Sequence, residues 1–356
     1  MRNESRWLTG LVLAGCLWAG SAGATNAVVT TCTESGFNTA LSTVDGSGGG
    51  TITFNCGTAT IVFTSYKQIS NAVTIDGGGK ITLDGNNASA LFQIFFSANV
   101  TLRNLSLKRG AYTGGVHTVE NFGTLMLDRV TMSNNTAAGA TTDGGAIAHT
   151  GTFLKVSAST FNGNSAGRNG AAIFATAPFT VVNSTFSANT ATGGGGAISQ
   201  NGSGFDSTVT YATIVGNTAA FGGGLDSDTS GGATATITVG KSILGANSGG
   251  NCSGLGASSG YNLSSDTFCG GSFNFNVANG DVQSATLTMG SLANNGGPTL
   301  TMLPAAGNPA INHIPLAQCA PNVDQRGGGR PSGAGCDSGA VEVGAVLDVI
   351  FYDGFD

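Results

Sequence analysis

Asp226-Ser227-Asp228 is the pair of carboxylates best spaced for acid–base chemistry, because alternate residues of an extended segment share one face. Two carboxylates flanking a glycosidic bond can act as acid and as base or nucleophile. Asp226 and Asp228 are therefore the catalytic candidates of a polysaccharide lyase or glycoside hydrolase, with Asp206 and Asp143 on neighbouring coils. A lyase also needs an acidic calcium cluster and a basic residue to take a proton, and no Arg or Lys falls at a matching position. Aspartates in glycine-rich turns are ordinarily solvated turn formers, and we prefer that reading. His117 and His149 lie near Gly-Gly turns with Glu120 close by, but a metal needs three or four ligands at fixed geometry. No metal and no cofactor is expected. The segment "IDGGGK" resembles a phosphate loop without the helix whose N-terminus would hold the anion.

The elements that must carry these residues follow from composition. Of 356 residues, 59 are Gly and only 7 Pro; 40% are hydrophobic and 9% charged. That apolar fraction excludes intrinsic disorder. So few charges cannot supply the polar faces of amphipathic helices, whereas abundant Thr, Ser, Asn, Gly, Val and Ile suit strands joined by tight turns. A net charge of −6 with scattered basic residues leaves no footprint for nucleic acid or an anionic membrane.

Two tags repeat through the middle of the chain. "VTMSNNTA", "STFNGNSA", "STFSANTA" and "ATIVGNTA" place Asn135, Asn164, Asn189 and Asn217 at spacings of 29, 25 and 28. "GGAI", "GAAI", "GGAI" and "GGGL" end at Ile147, Ile173, Ile198 and Leu225, at spacings of 26, 25 and 27. Each unit holds short alternating runs and no 3.6-residue stripe. Such strands bury their inner faces only by stacking on copies of themselves. The expected fold is all-β, a right-handed parallel β-helix of seven or eight coils over residues 51–250. The repeated Asn is expected to form a ladder from coil to coil and to take the left-handed backbone of a sharp corner. Open solenoid ends need capping. Residues 25–50 form the N-terminal cap, where Phe37, Ala40, Leu41 and Val44 share one helix face and Thr33 is the N-cap.

The paired tags, with "TITFNC", "VTIDGGGKITLDGNN" and "VTLRNLSLKRG" upstream, resemble the repeats of polymorphic outer membrane proteins, a β-helical surface family. Residues 251–343, with "MGSLANNGGPTLTMLPAAGNPAIN" and "DQRGGGRPSGAGCDSGAVE", resemble the choice-of-anchor Q domain. That resemblance implies a C-terminal cap on an extracytoplasmic β-helix. Asp324, Arg326, Arg330, Asp337 and Glu342 within it read as Arg–carboxylate pairs holding a loop-rich cap together.

Residues 1–24 carry Arg2 and Arg6, an apolar run and Ala22-Gly23-Ala24, the pattern of a cleaved signal peptide. The alternative is acylation at Cys16 of a lipobox-like "LAGC", which makes an outer membrane lipoprotein. No later segment is long enough to span a bilayer. Six cysteines follow, and an even number in an exported chain reads as disulfides with fifteen connectivities. Their local clustering favours Cys32–Cys56, Cys252–Cys269 and Cys319–Cys336. The tail at 344–356, "GAVLDVIFYDGFD", resembles a sorting signal read by secretion machinery. The sequence points to a secreted or cell-surface protein with a non-enzymatic role. Its expected partners are surface glycans or other extracellular ligands, bound along the β-helix flank, with polysaccharide cleavage as the alternative.

Overall fold

The computed structural model describes residues 23–112 and 115–347; residues 1–22 of the expected signal segment, with Cys16, and the last nine residues of the tail lie outside the described residues. Every ladder between its strands is parallel, and strands of successive units pair in order along two long sheets. The chain is a parallel β-helix of nine rungs, two of its three faces joined in one 16-stranded sheet and the third an 8-stranded sheet. At about 4.8 Å per rung the stack is roughly 38 Å long. The sequence repeats implied seven or eight coils. The ninth rung, 256–264, is built from "GASSG" and "LS", which carry neither tag, and it extends the stack beyond residue 250.

The interior is built of columns of inward residues in register from rung to rung, with two inward positions on most strands of the first face, such as Val100 and Leu102 or Leu125 and Leu127. On the first face Ile52, Ile75, Leu102, Leu127, Val156, Val181, Val209 and Val239 lie in register and are buried. On the second, Phe161 and Phe186 stack with centroids 4.8 Å apart. Each such side chain contributes about 1.5–3 kcal/mol on burial. Alternation within each short strand thus determines which residues point out, and hence where a site can form.

Helix α1, Glu34–Gly46, closes the first rung. Thr33 caps it through Oγ1, which accepts from the Gly36 N–H at 3.2 Å, and Phe37, Ala40, Leu41 and Val44 are buried beneath the rung. Glu34 then reaches the edge, accepting from Lys67 Nζ at 2.5 Å and from the Thr64 amide at 2.9 Å. Burial pulls its carboxyl upward, but these bonds outweigh it and hold the group at about 2.

The chain after rung 9 does not simply cover the end. It folds back along the corner between the first two faces as far as rung 5. Ser338 Oγ donates to Tyr261 O, Gly339 N to Lys241 O, Asn183 Nδ2 to Val323 O and Thr299 Oγ1 to Ala158 O. Inside this strap Arg326 pairs with Asp324 and Arg330 with Glu342, all buried, and Arg330 lies 4.3 Å over the Tyr211 ring. Disulfides join Cys32–Cys56, Cys252–Cys269 and Cys319–Cys336, the local pairing. Three such bonds fit an oxidising, extracytoplasmic compartment. Among the described residues no helix is long and apolar enough to cross a membrane.

Candidate functional site

The repeated Asn residues sit inside the second corner. Nδ2 of each donates to Oδ1 of the next through Asn135, Asn164, Asn189, Asn217 and Asn247, at 2.8–3.0 Å. Each Oδ1 from Asn164 to Asn247 also accepts the main-chain N–H of the Asn one rung below. The left-handed backbone falls instead on the residue before each, Asn134, Gly163, Ala188, Gly216 and Ala246. The ladder Asn is therefore an internal strut, and the corner strain is taken by its neighbour. Asn247 passes the chain on to Asn251 at 2.8 Å, which the repeat spacing did not indicate because only four residues separate them.

The outer column of the third face is where chemistry becomes accessible. Its middle positions, in register, are Gln68, Gln93, Glu120, Ala148, Phe174, Ser199, Asp226 and Ser253. Gln68 and Gln93 are linked at 3.1 Å, and Gln93 donates to Glu120 Oε2 at 3.0 Å. At the next rung the column shrinks to Ala148. The missing side chain leaves a cleft of about 210 Å³, walled by Tyr112, His117, Glu120, Thr142, Asp143 and Phe174. Tyr112 is held there because its N–H bonds Thr136 O at 2.9 Å, and its ring lies 5.0 Å from that of His117.

The two carboxylates of the cleft differ. Asp143 is gripped by the Arg168 guanidinium through both oxygens and by the Asn169 N–H, so its charge is matched. Among the described residues Glu120 meets the neutral Gln93 amide and, at 3.7 Å, the Nδ1 of His117. Arg168, Tyr112 and Ala148 were not flagged by sequence reasoning. Arg168 lies in a glycine-rich turn rather than a strand, and a cleft made by a small residue leaves no motif.

Asp226 and Asp228 lie on one outward side of the rung-7 strand Leu225–Asp228. Burial pushes Asp226 up to about 7; Asp228 adds to this, while hydrogen bonds from Ser199 and Ser253 oppose it. Burial also acts on Asp228, but the Ser230 amide and hydroxyl, the Asn201 amide and the field of Arg168 hold it below the usual carboxylate range. Two carboxyls pushed apart in this way have the electrostatics of an acid–base pair. Asp226 is nevertheless sealed, with 1% of its surface exposed. The Gly194 backbone approaches so closely that a Cβ there would stand 2.4 Å from Asp226 Oδ2 and 2.5 Å from the covering Phe221 ring. Asp206 is elsewhere, bonded to Thr236 on the first face, and Asp143 belongs to the cleft.

His117 and His149 are not brought together: His117 walls the outer cleft. His149 points inward, with Nδ1 2.8 Å from Asn121 Nδ2 and Nε2 3.1 Å from Pro178 O, and burial pushes it down to about 4. Among the described residues no three His, Cys, Asp or Glu side chains gather as a metal site. A larger groove of about 730 Å³ runs between α1 and the edge strand Lys67–Ile69. Its two charged groups are already used, Asp45 on the Ser70 and Asn71 amides and Lys67 on Glu34. The smaller cleft is the better candidate because its His117 Nδ1 makes no hydrogen bond and its Glu120 has no Arg or Lys partner among the described residues. Comparison of the chain with family models, curated proteins and solved structures gives no match.

Proposed function

We propose that this is an exported β-helix protein, secreted or held at the cell surface, that binds an extracellular glycan in the cleft beside Ala148. The observation that carries the reading is the break in the outer column. A small residue between Glu120 and Phe174 opens a pocket with two aromatic walls and several convergent polar groups. Binding sites combine apolar walls with a few placed polar groups, commonly in 300–1,000 Å³. A cleft of about 210 Å³ has room for one sugar ring of a longer chain. The resemblances to polymorphic outer membrane protein repeats and to the choice-of-anchor Q domain support a surface setting, as do the three disulfides.

Ala148→Phe is the test. Phe174 already occupies the same column position one rung on, so the scaffold accepts a Phe there while the cleft is filled. Wild-type protein is expected to bind members of a glycan panel saturably, and the variant, with unchanged circular dichroism, to lose that binding. Equal binding by both proteins would remove the cleft from consideration. Mass spectrometry of the mature N-terminus tests export, with Thr25 expected and a lipidated Cys16 the alternative.

A second reading, polysaccharide cleavage by Asp226 and Asp228, is favoured by their opposite pKa shifts. It requires Phe221 to move aside. Turnover of any polysaccharide that disappears in Asp226→Asn/Asp228→Asn would place this reading first.

A further inference from the structure

Inside the cleft, Glu120 Oε1 and His117 Nδ1 face each other at 3.7 Å, too far apart to hydrogen-bond. The Nδ1 atom is buried and has no hydrogen-bond partner among the described residues. An imidazole protonated at Nε2 presents Nδ1 as an acceptor, and an ionised carboxylate presents only acceptors. In that tautomer the two facing atoms are both acceptors, and neither Nδ1 nor Glu120 Oε1 has a hydrogen-bond donor among the described residues. A buried polar atom left this way is costly, and a ligand that supplies the missing donors relieves it.

A hydroxyl has one hydrogen to give and can serve only one of the two. A protonated primary amine has three, and also carries the charge that Glu120 lacks an opposite for. Asp143 is already matched by Arg168, whereas no Arg or Lys among the described residues pairs with Glu120. The Tyr112 ring, 5.0 Å from the His117 ring, adds a face on which a cation is attracted. Phe174 and the Thr142 and Thr150 side chains line the remainder, an apolar wall and hydroxyls suited to a sugar ring. We infer that the cleft selects an amino sugar with a free ammonium group, seated between Glu120 Oε1 and His117 Nδ1. This rests on the glycan reading above and names the sugar class.

The test is calorimetric titration at pH 7 of the full chain with the methyl glycosides of glucosamine, N-acetylglucosamine and glucose. The glucosamine glycoside is expected to bind about tenfold or more tightly than the other two, because charge-assisted bonds are the stronger ones. Glu120→Gln, which keeps the side-chain shape and the contact with Gln93, is expected to abolish that preference. Tyr112→Ala, outside the strand ladder, is expected to weaken the amine as well. Neutral sugars binding as well as the amine overturn the ammonium assignment and leave the glycan reading standing. Failure of all three sugars overturns both. Amine binding that survives in Glu120→Gln is general attraction to an acidic chain, and it too overturns the assignment.

Discussion

Replacing Asn189 with Ala removes the central strut of the ladder. In the wild type its Oδ1 accepts from the Asn164 main-chain N–H at 3.0 Å and from Asn164 Nδ2 at 2.8 Å. Its Nδ2 donates to Phe161 O at 3.1 Å and to Asn217 Oδ1 at 2.8 Å. After truncation Asn217 Oδ1 still accepts from the Asn189 N–H, and Asn164 Nδ2 still reaches Met132 O. The Asn164 N–H, one hydrogen of its amide and a lone pair of Phe161 O are left without partners in a region closed to water. At roughly 1–3 kcal/mol for each of the three buried groups left bare, the loss is about 3–9 kcal/mol, a large part of the ~5–15 kcal/mol that holds a domain folded. Urea denaturation followed by far-ultraviolet circular dichroism, disulfides intact, reads it directly. Asn183→Ala is the control, since its amide makes a single bond to Val323 O, and about 1 kcal/mol is expected. Asn189→Asp keeps the size but turns an acceptor toward Phe161 O and Asn217 Oδ1, so it should cost at least as much as Ala. If Asn189→Ala loses no more than the control, or Asp is tolerated at pH 7, the ladder is held by shape and not by donors.

Asp226 should make stability fall as pH rises. Its folded value of about 7 lies above the ordinary 3.8, so the folded chain keeps a proton that the unfolded chain has released. Its contribution is full below about pH 4 and lost as pH rises through 7; Asp226→Asn should flatten this limb and stabilise by on the order of 2–4 kcal/mol at pH 8. An unchanged profile would show that the carboxyl is solvated. His149 acts with the opposite slope: its folded value of about 4 lies below 6.5, so stability is lost as pH falls from 6.5 through 4, and His149→Gln should remove that loss. Arg330→Ala leaves Glu342 uncompensated within the strap and should cost about 3–5 kcal/mol. Limited proteolysis at residues 265–340 should quicken, and an unaltered cutting rate would argue against the strap depending on this pair. Loss of Cys319–Cys336, which closes 17 residues, should cost up to ~3 kcal/mol, seen as a lower melting temperature.

What could be read ahead of the structure was whatever depends on fixed spacing. Phe37, Ala40, Leu41 and Val44 obey helical periodicity within eight residues, and Thr33 and Glu34 fall where a helix start requires them. The Asn and Gly-Gly-x-Ile tags recur at 25–29 residues, and a parallel stack brings residues one period apart into contact, so register followed from counting. Features without a period stayed hidden. Along the first corner two further runs of side chains accept main-chain N–H groups from the rung below, Ser159 and Ser184 in the middle rungs and Ser242, Asn262 and Asp281 at the end, separated by Ala212. Serine is too common in this chain to stand out as a tag. The left-handed position could not be told from the ladder position, because both lie in the same Asn-rich triplet and only dihedral angles separate them. The strap escaped notice because its partners, such as Thr185 and Gln325, are 140 residues apart.

The two acidic sites show why strand positions alone do not define a site on this scaffold. Glu120 and Asp226 occupy the same outward place on the same face, four rungs apart. The strand treats them alike. Beside Glu120 the column narrows to Ala148, and the turn contributes Tyr112 and His117 at a distance that leaves a cleft. Beside Asp226 the column continues with Ser199 and Ser253, and Gly194 lets the preceding turn and Phe221 close over the carboxyl. One carboxylate keeps an oxygen turned to the cleft and can recognise a donor; the other is desolvated until it holds its proton near neutrality. Access, charge state and ligand class are thus set by the turns between faces, where the repeat is least regular. Substitutions at Gly194 and Phe221 should therefore change the titration of Asp226 more than any change within its own strand.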